Sequence, residues 1–232
     1  MPLRDVGWLI LDLDNTLLDF DRAAKRSLIS TYRRFGISTD EVHINAYRQI
    51  NHRCWRAFEA GEIDVATLKD LRFQMLVEDL AISINPDQIN SFYLNTLSKQ
   101  IDPMPGALEF LKWADNNFSL VLATNGFKQV QRPRIASSGI SAHFKHIIIS
   151  EEIGFNKPDK EFFDHTFHRM GGPAKNEVMI IGDNLGSDIK GGADYGILTC
   201  WLNNGDITKP QNAPTPDLSI HKLHDLLKYH SS

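Results

Sequence analysis

Short apolar segments that alternate with amphipathic helical patterns constrain the fold of this chain more than any other feature. Five segments predict buried strands, because apolar residues run together in them with little polar interruption. They span residues 7–13, 119–124, 146–150, 177–182 and 197–201. Helical spacing follows most of them, as at Ala107, Leu111 and Ala114. This alternation predicts an α/β fold, with a Rossmann-like parallel sheet flanked by helices, and leaves the strand order open.

The pattern changes after the first strand. Between residues 18 and 101 no strand pattern appears, and four helical patterns follow one another, separated at Gly36, Gly61 and Pro86. We therefore predict an all-helical cap inserted after the first strand, spanning residues 18–101. Residues 1–17 and 102–232 would form the α/β core.

Composition narrows the range of partners. The net charge of -4 and the pI of about 6.1 provide no basic field for nucleic acid or for an anionic membrane. Cys54 and Cys200 show no metal-ligand or disulfide spacing, which favours a reduced, cytoplasmic protein. No apolar run approaches the ~20 residues of a membrane span, and none resembles a signal peptide. We expect a monomer or homodimer, and a small phosphorylated metabolite remains a possible ligand where a local cation offsets its charge.

Polar residues stand at, or just after, the ends of several predicted strands. They are Asp12, Thr124, Lys157 and Asp183. Ligands of open α/β sheets bind beyond the carboxyl ends of the strands, so we expect these four side chains to converge on one site.

Asp12 and Asp14 lie two residues apart at the end of the most apolar segment. If both lie on the strand, they face the same side and repel each other unless a cation or a proton intervenes. Mg²⁺ favours such oxygen ligands, and Asp183 would supply a third carboxylate. Aspartates at such positions also serve as turn or helix-capping residues, which is the alternative for an isolated pair.

Two further motifs predict phosphate binding. Thr124-Asn125-Gly126 places a hydroxyl beside backbone N–H groups at a turn that opens a helix. Lys157 precedes a predicted helix start at Pro158-Asp159, where its ammonium would offset the charge of a phosphate. Each motif alone is compatible with an ordinary turn or a solvated lysine.

In this order the motifs "DLDNT", "ATNG", "NKPD" and "IGDNLGSD" resemble those of the haloacid dehalogenase-like hydrolase superfamily. They span Asp12 to Asp188, and the helical insert resembles the C1-type cap of that superfamily. The segments "DLDNTLLDF", "INHRCWRAFEAGEI", "ATNGFKQVQRPRIASSGI" and "GDNLGSDIKGGADYGILTCW" are similar to pyrimidine-specific 5'-nucleotidases that act on unusual nucleotides.

The resemblance implies roles for the residues that match the motifs. Asp12 would be the nucleophile that forms an aspartyl-phosphate, and Asp14 the general acid and base. The phosphoryl oxygens would be bound by Thr124, the Asn125 N–H and Lys157. The cofactor Mg²⁺ would be held by the Asp12 carboxylate, the Asp14 backbone carbonyl and Asp183, with Asp188 in support.

The expected activity is Mg²⁺-dependent hydrolysis of nucleoside 5'-monophosphates, with a pyrimidine preference. Candidates for contacts with the base are Phe20, His52, Trp55 and Phe58. A sugar-phosphate or phosphoglycolate-type phosphatase of the same superfamily is the nearest alternative. A phosphoacceptor signalling module is the alternative from another class, although its acceptor aspartate would not lie on the first strand and it has no cap.

Overall fold

The computed structural model describes residues 3–205 and 208–230, and a parallel sheet forms its centre. The strands are β1 (Trp8–Leu11), β2 (Ser119–Thr124), β3 (His146–Ile149), β4 (Val178–Gly182), β5 (Leu198–Leu202) and β6 (Leu218–Ile220). Their order is β3-β2-β1-β4-β5-β6, and every neighbouring pair is parallel. The predicted Rossmann-like α/β fold is confirmed.

Helices occupy most of the chain between the strands. They are α1 (Phe20–Phe35), α2 (Glu41–Glu59), α3 (Val65–Asp79), α4 (Pro86–Leu97), α5 (Ala107–Asn117), α6 (Lys128–Ser137), α7 (Ser150–Ile153), α8 (Lys160–Met170), α9 (Lys190–Tyr195) and α10 (Leu227–His230). No helix among the described residues combines the length and the apolarity that a membrane span requires.

The central strand β1 is buried on both faces because its alternate residues belong to different apolar clusters. Leu9 and Leu11 pack on one side with Phe110 of α5. Ile10 packs on the other side with Phe163 of α8. All of these residues are at most 1% exposed, so the continuous apolar run follows from helices covering both faces.

Helices α1 to α4, the first four after β1, form an apolar cluster of their own, which includes Tyr47, Phe73 and Tyr93. This cluster extends to Phe127 and Val130 at the beginning of α6. The helical insert therefore has a hydrophobic centre that continues onto the sheet's edge. Its limits at residues 18 and 101 remain a prediction.

Two features of the sheet differ from the prediction. Strand β1 ends at Leu11 instead of residue 13, because the chain turns away around Asn15, whose φ is 58°. Strand β6 was not predicted, since its three residues are too few to show a pattern. Asp217 fixes it, accepting hydrogen bonds from the Thr199 N–H and hydroxyl at 2.8 Å.

Candidate active site

The predicted polar groups meet at the carboxyl edge of three adjacent strands. Asp12 follows β1, Thr124 ends β2 and Asp183 follows β4. Lys157 reaches the same place from the loop before α8. Together they line a cavity of about 710 Å³ that is also lined by residues of the helical insert. The strand connections reverse direction at this edge, which is where open α/β sheets bind ligands.

Lys157 is the central cation of the site. It is 1% exposed, and its Nζ donates to Asp12 Oδ1 and Asp188 Oδ1 at 2.7 Å each and to the Ala123 carbonyl at 2.8 Å. The Asn125 side chain fixes the lysine backbone from both sides, accepting from its N–H at 2.9 Å and donating to its carbonyl at 2.8 Å. Lys157 is therefore a rigid element of the site and not a solvated surface lysine.

Asp12, Asp183 and Asp188 offer oxygen atoms that all lie within 4.8 Å of one another. Burial raises the pKa of Asp12 to about 7, with Lys157 acting against this shift and Asp188 reinforcing it. Burial and the charges of Asp12 and Asp188 also raise the pKa of Asp183. If all three carboxylates were ionised, the ammonium would balance one of their charges, and a divalent cation would neutralise the other two. An all-oxygen ligand set fits Mg²⁺.

Asp14 lies off the strand and is held by two residues that the sequence analysis did not single out. Gln131 Nε2 donates to its Oδ2 at 2.7 Å, and Arg134 Nη1 donates to its Oδ1 at 2.5 Å. Arg134 is fully buried and also donates to the Gln100 carbonyl at 2.9 Å. Asp12 and Asp14 thus contact different cations, so the two carboxylates have distinct environments.

A sequence signal for these two residues exists in hindsight. Gln131 and Arg134 are three residues apart on α6, so they lie on the same helix face. That helix begins directly after the Thr124-Asn125-Gly126 turn, which points its first turns toward the site. Gln131 Nε2 also donates to Thr124 Oγ1 at 3.0 Å, and thereby links the threonine to Asp14.

Gly126 leaves the space that Gln131 occupies. A Cβ at position 126 would lie 2.0 Å from Gln131 Nε2 and 2.6 Å from its Cδ. We expect Gly126→Ala to displace the glutamine and break its bonds to Asp14 and Thr124, lowering the free energy of unfolding by about 2–3 kcal/mol. Urea denaturation would measure the change.

Gly7→Ala is the matched control, because nothing lies within 4 Å of a Cβ at that position. Its stability should change by less than about 1 kcal/mol. Equal stabilities of the two variants would contradict the close packing of Gln131 on Gly126.

The insert side of the cavity carries three of the four predicted base-contact candidates. Phe20, His52 and Trp55 line it. Phe58 is not among the lining residues and instead packs edge-on against Trp55, with ring centroids 5.8 Å apart. Trp55 also stacks with Phe127, at the beginning of α6, with ring centroids 5.4 Å apart.

Several further lining residues were not predicted. Tyr47 and Asn51 come from α2, Arg72 from α3 and Tyr93 from α4. Arg72 is 2% exposed and lies over the Phe127 ring, 4.9 Å from its centroid. This end of the cavity thus combines aromatic rings with a buried cation, unlike the acidic end at the sheet.

Comparisons with known proteins show the family to which the chain belongs. The model of the haloacid dehalogenase-like hydrolase family matches residues 7–196. The chain is 32% identical to pyrimidine 5'-nucleotidase YjjG of Escherichia coli, over 96% of this chain and 98% of that protein. It is 30% identical to pyrimidine 5'-nucleotidase PynA of Streptococcus pneumoniae, over 95% and 93% of the two chains.

A solved structure is similar over the same length. The magnesium-bound crystal structure of YfnB from Bacillus subtilis, which reveals interdomain movement, superposes with a TM-score of 0.90 at 31% identity. The alignment covers 96% of this chain and 97% of that one. The fold, the convergent motifs and the match over residues 7–196 confirm the predicted resemblance, and the chain belongs to the haloacid dehalogenase-like hydrolase family.

Proposed function

We propose that this hydrolase is a Mg²⁺-dependent phosphatase that acts on nucleoside 5'-monophosphates, preferentially pyrimidine ones. The observation that carries the proposal is one continuous cavity with two chemically different ends. Acidic residues and Lys157 line the end at the sheet, and aromatic rings with Arg72 line the end at the insert. A phosphate ester whose leaving group carries a planar ring matches both ends. Two similar proteins are named pyrimidine 5'-nucleotidases.

Asp12 is the nucleophile of the first step. One of its carboxylate oxygens bonds to phosphorus while the ester P–O bond breaks, which gives an aspartyl-phosphate and an alcohol. Lys157, 2.7 Å from Asp12 Oδ1, favours the ionised carboxylate that this attack requires. Reaction at a buried side chain also keeps bulk water away from the transferring group.

Asp14 moves the protons. As the general acid of the first step, it gives a proton to the leaving oxygen. In the second step the ionised Asp14 takes a proton from a water molecule, whose oxygen attacks phosphorus and releases phosphate and the Asp12 carboxylate. Gln131 and Arg134 hold the Asp14 carboxylate in place for both transfers.

The phosphoryl oxygens are bound by the Thr124 hydroxyl, the Asn125 N–H and the Lys157 ammonium, which stabilise the charge that spreads over them during transfer. Mg²⁺ would be held by the Asp12 carboxylate, the Asp14 carbonyl and Asp183, with Asp188 in support. When bound, it supplies positive charge that polarises the phosphoryl group and offsets the carboxylates.

Metal removal tests the ion site in two ways. Addition of EDTA should lower kcat by about 100-fold or more, because charge stabilisation worth several kcal/mol is lost, and added Mg²⁺ should restore it. Independently of turnover, Mg²⁺ should raise the melting temperature of the wild type, since it binds only the folded site. Asp183→Asn should lose that thermal shift. An equal shift in both proteins would place the ion elsewhere.

A panel of substrates tests the activity. Phosphate release would be compared among UMP, dUMP, dTMP, purine 5'-monophosphates, the 3'-isomer of UMP and sugar phosphates. We expect the highest kcat/KM for pyrimidine 5'-monophosphates. If sugar phosphates or phosphoglycolate lead, the phosphatase chemistry stands and the nucleotide assignment is wrong.

A further inference from the structure

Among the residues that the structure describes, Arg72 is the buried cation that forms no salt bridge with a carboxylate. Three cationic residues are buried among the described residues, namely Arg72, Arg134 and Lys157. Arg134 pairs with Asp14, and Lys157 pairs with Asp12 and Asp188. The acceptors that Arg72 contacts are all uncharged. A buried charge is costly unless it is paired or fully hydrogen-bonded, so this guanidinium calls for a further acceptor.

The hydrogen bonds of Arg72 leave donor capacity unused. Its Nε donates to the Leu68 carbonyl at 3.0 Å, and its Nη1 to Asn51 Oδ1 at 3.1 Å. The contacts to Tyr47 Oη and Asn90 Oδ1 are long, at 3.4 and 3.5 Å. A guanidinium has five N–H donors, so these contacts do not saturate it. Because Arg72 lines the cavity, a ligand bound there can supply an additional acceptor.

The surroundings of Arg72 favour a flat ligand. Its guanidinium lies 4.9 Å from the centroid of Phe127, which in turn stacks with Trp55. Phe20, Tyr47 and Trp55 line the same cavity. Aromatic walls bind planar rings by stacking, whereas a small aliphatic acid would leave them uncovered.

We propose that Arg72, supported by Asn51, donates hydrogen bonds to a ring carbonyl of a nucleobase at the insert end of the cavity. This inference rests on the proposed function, in which a nucleoside 5'-monophosphate places its phosphate at Asp12 and its base toward the insert. Uracil and thymine carry two carbonyl oxygens, cytosine carries one, and adenine carries none. Arg72 therefore selects keto pyrimidines over adenine.

The test compares three substrates within each protein. UMP has a ring with carbonyls, the 5'-monophosphate of a C-phenyl riboside has a ring without them, and ribose 5-phosphate has no ring. In the wild type, kcat/KM should fall in that order. In Arg72→Met, the advantage of UMP over the phenyl riboside should shrink by about 10- to 100-fold, the scale of a hydrogen bond from a charged donor.

Ratios of kcat/KM within one protein do not depend on the fraction that is folded, so partial unfolding of Arg72→Met does not obscure the result. Arg72→Lys, which keeps the charge with fewer donors, should retain part of the selectivity. Leu76→Ala is the matched control. Leu76 lies one turn further along α3, is fully buried and is not a lining residue, so its loss should lower stability without changing the ratios.

The outcomes separate this inference from the function on which it rests. If the wild type hydrolyses UMP no faster than ribose 5-phosphate, the nucleotide assignment and the role of Arg72 both fail. If the wild type prefers UMP and Arg72→Met keeps that preference in full, the role of Arg72 alone is overturned. An equal loss on all three substrates would identify Arg72 as a structural link between α2, α3 and α4 and would also overturn the inference.

Discussion

Replacing Asp12 with asparagine is expected to lower kcat by on the order of 10⁴-fold or more, the scale on which loss of an enzyme's nucleophile acts. The carboxamide is nearly the same size as the carboxylate but is a much weaker nucleophile toward phosphorus. Binding should persist, because Thr124, the Asn125 N–H and Lys157 are unchanged. Initial rates of phosphate release from UMP would measure the effect.

The loss should not come from unfolding. Burial raises the pKa of Asp12 to about 7, above its ordinary value of 3.8, so folding disfavours the ionised carboxylate. A raised acid pKa means that stability decreases as the pH rises from the unfolded pKa toward the folded one. Asp12→Asn removes this unfavourable charge, and its melting temperature without metal at neutral pH should equal or exceed that of the wild type.

Asp194→Asn is the control for the substitution itself. Asp194 is an exposed aspartate on α9 whose carboxylate pairs with Lys190, away from the cavity. It should leave kcat unchanged. If Asp12→Asn retained turnover within tenfold of the wild type while Asp194→Asn was normal, covalent catalysis at Asp12 would have to be abandoned.

The sequence predicts those parts of this molecule that depend on local pattern. Apolar runs and helical spacing located five strands and the helices of the insert. A strand that is buried on both faces is apolar throughout, and a helix that is buried on one face has apolar residues at helical spacing. The convergence of the polar residues at strand ends could also be predicted from the sequence, because parallel strands bring their carboxyl ends to one edge of the sheet. The strand order depends on long-range pairing and leaves no such pattern.

What the sequence could not provide are contacts that depend on how helices face one another. Trp55 and Phe58 are both aromatic residues of α2, yet Trp55 lines the cavity and Phe58 packs behind it. Arg72 reads as an ordinary polar residue of a helix until α2 and α4 enclose it. The role of Arg134 likewise depends on its contact with Asp14, which lies 120 residues earlier in the chain.

Lys157→Met is expected to have the largest effect on stability. Burial alone would lower the pKa of Lys157, but Asp12 and Asp188 outweigh it and raise the pKa, so the ammonium is held firmly in its charged form. Removing it leaves two buried carboxylates without their shared partner. Breaking a buried ion pair in this way costs about 3–5 kcal/mol. Urea denaturation without Mg²⁺ would measure the loss in the free energy of unfolding.

Lys160→Met is the matched control from the same segment. The Lys160 side chain is 71% exposed and pairs with Asp164 one helical turn away. Exposed pairs of this kind contribute less than about 1 kcal/mol, so the control should unfold close to the wild type. Similar losses in both variants would show that the substitution by methionine, and not the buried charge, is responsible.

The effect of Mg²⁺ on the stability of Lys157→Met tests whether the ammonium and the cation balance the same charges. Without the ammonium, the carboxylates of Asp12, Asp183 and Asp188 keep one more uncompensated negative charge, so the variant should bind the cation more tightly than the wild type. Ligand binding to the folded state stabilises it in proportion to the logarithm of its affinity. Saturating Mg²⁺ should therefore raise the stability of the variant more than that of the wild type and narrow the gap between them. The kcat of the variant should nevertheless remain about 10²- to 10³-fold below that of the wild type, because the phosphoryl group has lost a preorganised donor. A gap that Mg²⁺ leaves unchanged would mean that the ammonium and the cation do not balance the same charges.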